Sequence, residues 1–237
     1  REQCYRDLPI LTAAPGGADM ARAEHRLYRF LGPSEALSAV KWAELAAREI
    51  GSAANGSAMV VGGTGFYIKV LAEGISPVPD VPHEGAAPDY GYLRRIDPDT
   101  RIAPSDAQRI SRAIEVFEAT GIPLSEWQKK PKRKFLDADF SIEVVDIPAG
   151  ELDARIERRT RRMLASGAIG EVAALFAPPS APISDVIGVR EIRAHLAGAM
   201  DLEELERAIV LRTRQYAKRQ RTFFRTQFPL ARRIAAI

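Results

Sequence analysis

Apolar residues recur at helical spacing along much of this chain, and short apolar runs fall between the helical stretches. Residues 34–50 read as a helix, with Ser34 or Ser38 as its cap and Leu37, Val40, Trp42, Leu45, Ala46 and Ile50 on its apolar positions. Ala58-Met59-Val60-Val61 reads as a buried parallel strand entering Gly62-Gly63, after which Phe66 to Leu71 resumes as a helix; strand, glycine turn and helix make an α/β unit. Residues 76–92 are rich in Pro and Gly and read as a linker. A helix over 106–119 puts Ile110, Ala113, Ile114 and Phe117 on one face and Arg109, Arg112 and Glu115 on the other, and Gly121 and Pro123 stop it. Phe140 to Ile147 is a strand candidate, and residues 150–166 form an amphipathic helix through Leu152, Ile156, Met163 and Leu164, ended by Gly167. Pro178 to Pro182 is a loop, and helices follow at 189–197 and 201–227. There is no internal repeat.

Composition narrows the classes. The chain has 237 residues, 46% of them hydrophobic, enough for one domain with an insert or two small domains. A net charge of +3 is modest, so basicity acts through clustering. One cysteine, Cys4, excludes an intrachain disulfide, and the three histidines (His25, His83, His195) lie far apart with no HExxH, which argues against structural zinc. For His25 and His195 a helix-face or packing role is expected rather than catalysis. No apolar run is long enough for a bilayer and the start is not a signal peptide, so the expectation is a soluble, cytoplasmic monomer.

Three features carry candidate chemistry. From Arg207 to Arg225 every formal charge is positive, with Tyr216, Phe223 and Phe224 interleaved. Phosphates and stacked bases suit that mixture, and so does the solvated face of an amphipathic helix. The Gly62-Gly63-Thr64-Gly65 turn can cradle a phosphate on its backbone N–H groups, with Thr64 as a hydroxyl donor, or can simply pack a helix against a strand. No GxxxxGK[ST] loop occurs in the sequence. Gly188-Val189-Arg190-Glu191 opens a helix, where Arg190 is either a cationic fork for phosphate or a surface arginine paired with a nearby Glu. Lys129 to Lys134 forms a further basic patch, expected to be exposed, and Trp127 suits a core anchor or a stacking platform.

Taken together, these stretches resemble the tRNA dimethylallyltransferases. The matching segments are Gln3 to Ile10, His25 to Tyr28, Val61 to Lys69, Pro77 to Pro82, Asp106 to Gly121 with Pro123 to Glu126, Ile187 to Glu191 and Tyr216 to Arg225. The resemblance implies a P-loop NTPase-like α/β core with a parallel sheet (1–82 and 132–237), a small helical tRNA-binding insert (83–131) and a helical C-terminal part. It implies transfer of a dimethylallyl group from its diphosphate to N6 of the adenosine 3′ of the anticodon, with Mg2+ on the diphosphate and the anticodon stem-loop of tRNA as partner. By position, Thr64 and Arg190 are implied at the reaction centre, with Gly62, Gly63 and Gly65 shaping the diphosphate turn. Gln3 is implied to read the target adenosine. Gln108, Arg109, Ile110, Ser111, Arg112 and Gly188 are implied to face tRNA, as are Lys218, Arg219, Gln220, Arg221, Thr222, Phe223, Phe224 and Arg225 of the last helix.

The family's phosphate loop and its proposed general base, an Asp, lie upstream of the position where this sequence begins, so a polypeptide starting at Arg1 is expected to be inactive in transfer. The stretches between Pro82 and Asp106 and from Phe176 to Asp185 are also shorter than the resemblance implies. A tRNA-binding remnant without catalysis and a small-molecule kinase-like protein are the competing readings. The basic, aromatic last helix argues against the kinase.

Overall fold

The computed structural model describes residues 1–53, 56–82 and 85–235. They form a mixed α/β chain in two compact units, Arg1–Lys69 with Ala138–Ile237, and Val70–Asp137. His83, expected at the linker, lies outside the described residues.

The first unit begins with a single 3-10 turn, Glu2–Cys4, followed by α1 (Pro9–Thr12) and α2 (Gly17–Arg22). Tyr5 forms a parallel bridge with Leu31, and both are buried. The next helix, α3 (Ala39–Gly51), is capped by Ser38, whose hydroxyl accepts from Lys41 N at 3.1 Å. Ala39, Ala43 and Ala46 give it a small-residue buried face. The glycine turn leads into α4 (Gly65–Glu73), which crosses the division between the units. On α4 the Tyr67 phenol is buried, donates to Leu37 O and packs its ring against Trp42 at 5.8 Å.

Burial pushes the Tyr67 phenol above its ordinary pKa. The folded chain therefore holds this proton where the unfolded chain has released it. The stabilisation is complete below the ordinary tyrosine value of about 10 and is lost as pH rises beyond it. Urea midpoints measured from pH 8 to 11 are expected to fall more steeply for wild type than for Tyr67→Phe; parallel slopes would exclude this group as the cause.

The second unit holds α5 (Tyr90–Ile96), α6 (Ala107–Thr120) and α7 (Leu124–Lys129). Asp89 caps α5 by accepting from Tyr92 N at 2.8 Å, so a helix starts inside the stretch read as linker. Asp106 caps α6, and Gly121 closes it in the left-handed region at φ 67°, where a Cβ would be strained. Leu93, Ile110, Ala113 and Ile114 form the core of this unit. Lys129 pairs with Asp99 and Glu126, Lys132 pairs with Glu73, and Lys130 sits 3.5 Å over the half-buried ring of Trp127. Much of the basic patch is thus neutralised or stacked locally.

The first unit then resumes with β1 (Glu143–Asp146), α8 (Ala149–Ala165), α9 (Ala168–Ala173), α10 (Val189–Leu196), α11 (Leu202–Gln227) and β2 (Arg232–Ala235). Strands β1 and β2 pair in parallel, Glu143 opposite Arg232 through Asp146 opposite Ala235. The 26-residue α11 starts with a reciprocal cap, in which Asp201 accepts from Glu204 N at 2.7 Å and Glu204 accepts from Asp201 N at 2.9 Å. Arg214 ties α11 to α8 through Asp153 and Glu157, and Arg212 ties it to α10 through Glu191. Glu171 of α9 accepts from Ile10 N and Leu11 N, satisfying the start of α1. No described helix is long and apolar enough to cross a membrane.

Two expectations need correction. Residues 58–61 form no strand, and Met59 and Val61 are 89% and 70% exposed. A buried strand needs a neighbour's ladder and a covering layer, and no described residue pairs with this run. Glu115, expected on the solvent face of α6, is 5% exposed. Helix α6 is enclosed on more than one side, with Ile110, Ser111, Ala113, Ile114, Glu115 and Val116 all buried. The carboxylate is tolerated because it accepts from Gly85 N at 2.9 Å and Ala86 N at 3.3 Å and faces Arg112 at 3.6 Å.

Candidate functional site

The glycine turn is built around α11. Gln220 Nε2 donates to Gly63 O at 2.9 Å, and a Cβ on Gly63 would lie 2.0 Å from that nitrogen. A Cβ on Gly65 would lie 2.4 Å from Cδ1 of the Phe223 ring. Gly65 is therefore required by the close approach of the Phe223 ring, whereas a side chain at Gly63 would displace the Gln220 amide; both are packing uses of a glycine turn. Gly62 differs: a Cβ there meets nothing within 4 Å, so its side faces open space. Thr64 is half-buried at the start of α4, and its hydroxyl accepts from the Arg1 backbone nitrogen at 3.3 Å.

Residues 1–3 connect this turn to the start of α10. The Arg1 guanidinium hydrogen-bonds Tyr67 and lies within electrostatic reach of Asp185. The Glu2 carboxyl is held above the usual carboxylate range by burial, opposed by a hydrogen bond from Ile187 N–H. Gln3 Nε2 donates to Ala13 O at 2.7 Å and Thr12 O at 3.3 Å. Because both partners are carbonyls, the amide nitrogen is committed to the protein and the amide oxygen is the group left for a ligand.

Arg190 sits in the first turn of α10. Its guanidinium pairs with Asp185 at 2.6 Å and donates to Ser184 O at 3.2 Å, so its partner is an aspartate before the helix and not a glutamate. The arginine is exposed and can turn toward an anion. Gly188 takes φ 103°, a Cβ there would meet Leu11 Cδ1 at 2.7 Å, and its N–H donates to Glu191 at 3.0 Å. This glycine is demanded by backbone geometry and packing together.

On α11, Lys218, Arg219, Arg221, Thr222 and Arg225 are exposed, and Lys218, Thr222 and Arg225 fall at i, i+4 and i+7 on one face. The other residues of the run face inward. Gln220 holds the glycine turn, Phe223 covers Gly65, and Phe224 stacks on Phe228 at 5.8 Å. The charge is also partly compensated, since Arg214, Arg212 and Arg221 have carboxylate partners on α8, α10 and β1. Lys218 and Arg225 have no such partner among the described residues, and Arg219 lies 5.9 Å over Tyr216. In the second unit, Gln108 and Arg109 are exposed, Arg109 pairs with Asp106, and Ile110 and Ser111 are buried. Arg112 is drawn to Val81 O at 2.7 Å and to Glu115. His25 Nδ1 lies within hydrogen-bond distance of Ala23 O, and His195 Nδ1 within that of Met200 O.

Sequence reading placed both motifs but not the link between them. A glutamine one helical turn before a phenylalanine signals nothing unless the facing glycines are known. Among the described residues no group of three or more His, Cys, Asp or Glu side chains could hold a metal ion.

Fold and site define an α/β protein that sets a glycine turn, an exposed arginine and a cationic helix face in one unit, a combination suited to a phosphate-bearing substrate. Comparison with known proteins gives the family. The IPP transferase family model matches residues 3–227, and the chain belongs to that family. It is similar to a tRNA dimethylallyltransferase of Paramagnetospirillum magneticum, 41% identical over 93% of this chain and 76% of the relative. A tRNA dimethylallyltransferase of a Chelativorans species is 42% identical over 95% of this chain and 84% of that one. Among solved structures, the full-length tRNA isopentenylpyrophosphate transferase of Bacillus halodurans matches with a TM-score of 0.70 at 25% identity, covering 99% of this chain and 78% of the other. A eukaryotic dimethylallyltransferase acting on tRNA shares the fold with a TM-score of 0.81 at 24% identity, over 99% of this chain and 65% of that one.

Proposed function

We propose that this chain forms the body of a tRNA dimethylallyltransferase, transferring the dimethylallyl group from dimethylallyl diphosphate to N6 of the adenosine 3′ of the anticodon. The observation that carries this reading is the interlock of Gln220 with Gly63 and of Phe223 with Gly65. It supports the reading by packing the glycine turn, with its open side at Gly62, against the same helix whose outer face carries Lys218, Thr222 and Arg225. In the reaction N6 attacks the allylic carbon, the carbon–oxygen bond breaks, and diphosphate leaves with the bonding electrons. The proton lost from N6 needs a base, which the resemblance puts outside these residues. Thr64 and the open side of Gly62 would hold the departing diphosphate, and Arg190, exchanging Asp185 for the anion, would stabilise its growing charge. The magnesium ion implied by the resemblance would neutralise diphosphate charge when bound.

The adenosine must leave its stack to reach the allylic carbon, and the Gln3 amide oxygen is the acceptor available to it. Lys218, Arg219, Thr222 and Arg225 would meet the stem-loop backbone, with Gln108 and Arg109 of the second unit as further contacts. The pair β1–β2 would belong to a P-loop-like parallel core.

The test is prenyl transfer to an anticodon stem-loop by the full-length protein. Thr64→Ala and Arg190→Ala are each expected to lower kcat/KM by about 100-fold, the usual scale for a lost anion-stabilising donor. Stability should change by less than about 1 kcal/mol, because the Arg190–Asp185 pair is exposed. Wild-type kcat/KM in both variants would remove them from the reaction centre.

A further inference from the structure

Beside Gln3 the backbone is strained where it need not be. Leu27 and Arg29 adopt φ of 61° and 54°, left-handed conformations that L side chains rarely take. Such strain persists only where the surrounding structure imposes it, and an observed outlier is a reason to look for a use. Here the imposing contacts are clear. Arg29 N donates to Gln3 O at 3.0 Å, Leu31 N to Cys4 O at 2.8 Å, and Arg6 N to Leu31 O at 3.0 Å. Residues 29–31 are thereby laced along residues 3–6, with Tyr5 and Leu31 buried at the bridge.

Two arginines emerge from this lacing. Arg6 is exposed, and among the described residues its guanidinium donates only to Phe30 O, at 3.3 Å. Arg29 is exposed, and its side chain makes no hydrogen bond or ion pair with a described residue. Arg26, by contrast, is paired with Glu24 and Glu49. Glycine would take the conformation at position 29 without strain, yet the chain carries there a long cation whose side chain has no partner among the described residues. Both guanidiniums ride on the backbone that positions Gln3.

We propose that Arg6 and Arg29 form a phosphate-binding pair that grips the backbone of the single-stranded loop next to the nucleotide read by Gln3. This rests on the tRNA-modifying function proposed above and adds to it a contact surface on the first unit separate from the α11 face. Arginine suits the role because its planar fork matches phosphate oxygens, and backbone contacts fix register without reading sequence.

The experiment is binding of an anticodon stem-loop RNA by the full-length protein over a salt series, for wild type, Arg6→Ala, Arg29→Gly, the double variant and Arg29→Lys. Each single charge removal is expected to weaken binding by about 3- to 10-fold and to flatten the log K against log salt slope by about 0.7, the value for one phosphate on a single strand. Arg29→Lys should keep most of the slope. Arg29→Gly also answers the folding objection, because relief of the strained φ should leave its melting temperature at or above wild type while binding falls. A double variant with wild-type affinity and slope, where wild type binds the stem-loop, would overturn the pair and leave the transferase reading intact. Failure of wild type to bind the stem-loop would overturn both.

Discussion

Gly65→Ala is expected to lose on the order of 2 kcal/mol of stability, and Gly63→Ala about half of that. The added methyl at position 65 would lie 2.4 and 2.7 Å from Cδ1 and Cε1 of Phe223, closer than real Cβ contacts come. A phenyl ring cannot bend away, and its own freedom is limited by Phe224 and Phe228, whose ring centroids lie 6.1 and 6.5 Å from it. Either α11 retreats or the turn opens. At Gly63 the clash is with the amide end of Gln220, which can swing aside at the cost of its hydrogen bond to Gly63 O. Urea unfolding of the four members of the Gly65→Ala and Phe223→Ala cycle separates strain from other effects. The alanine at 223 vacates the contested space, so the double variant should be more stable than the sum of the singles implies, by about 1 kcal/mol or more. Strict additivity would show that the two residues do not contend for that space.

The same interlock should couple stability to catalysis. If the turn holds diphosphate and α11 holds RNA, displacing Phe223 disturbs both at once. Gly65→Ala is then expected to raise KM for the prenyl donor and for the stem-loop together, whereas Lys218→Ala on the outer face should affect only the RNA.

Long helices were legible because caps and periodicity are local. Asp106 with Gly121, and Asp201 with Glu204, mark the ends of α6 and the start of α11 within a few residues. Helices of four to six residues such as α1, α2, α7 and α9 contain too little of a 3.6-residue period to register. Errors of a different kind arose where partners come from far along the chain. The run 58–61 is apolar, but apolarity does not show which segment covers it. Every formal charge from Arg207 to Arg225 is positive, yet Asp146, Asp153, Glu157 and Glu191 reach three of these cations from other elements. For the candidate site, the residue types of the turn and of Arg190 were readable, while the commitment of Gln220 and Phe223 to the turn was not. That commitment depends on glycines some 157 positions away in the case of Gln220 and Gly63.

Glu115 is where such a distant partnership should matter most for the second unit. Glu115→Ala is expected to cost about 2–4 kcal/mol, because it strands two partly buried amides and removes the carboxylate facing Arg112. The carboxylate holds residues 85 and 86 against α6, while Arg112 holds Val81 O, so the two side chains pin residues 81, 85 and 86 to the helix. Glu115→Gln keeps an acceptor for the amides and should lose less. Arg112→Ala tests the clamp from the other side. If Arg112 chiefly pins Val81, its loss should lower the melting temperature and speed hydrogen exchange at Gly85 and Ala86, leaving the salt slope of stem-loop binding unchanged. If it chiefly binds phosphate, the slope should flatten by about 0.7 with stability intact. The geometry favours the clamp, since its guanidinium already spends its bonds on a carbonyl and a buried carboxylate. A Glu115→Ala protein within about 0.5 kcal/mol of wild type, the ordinary range for a surface substitution, would show that the segment is held by other contacts.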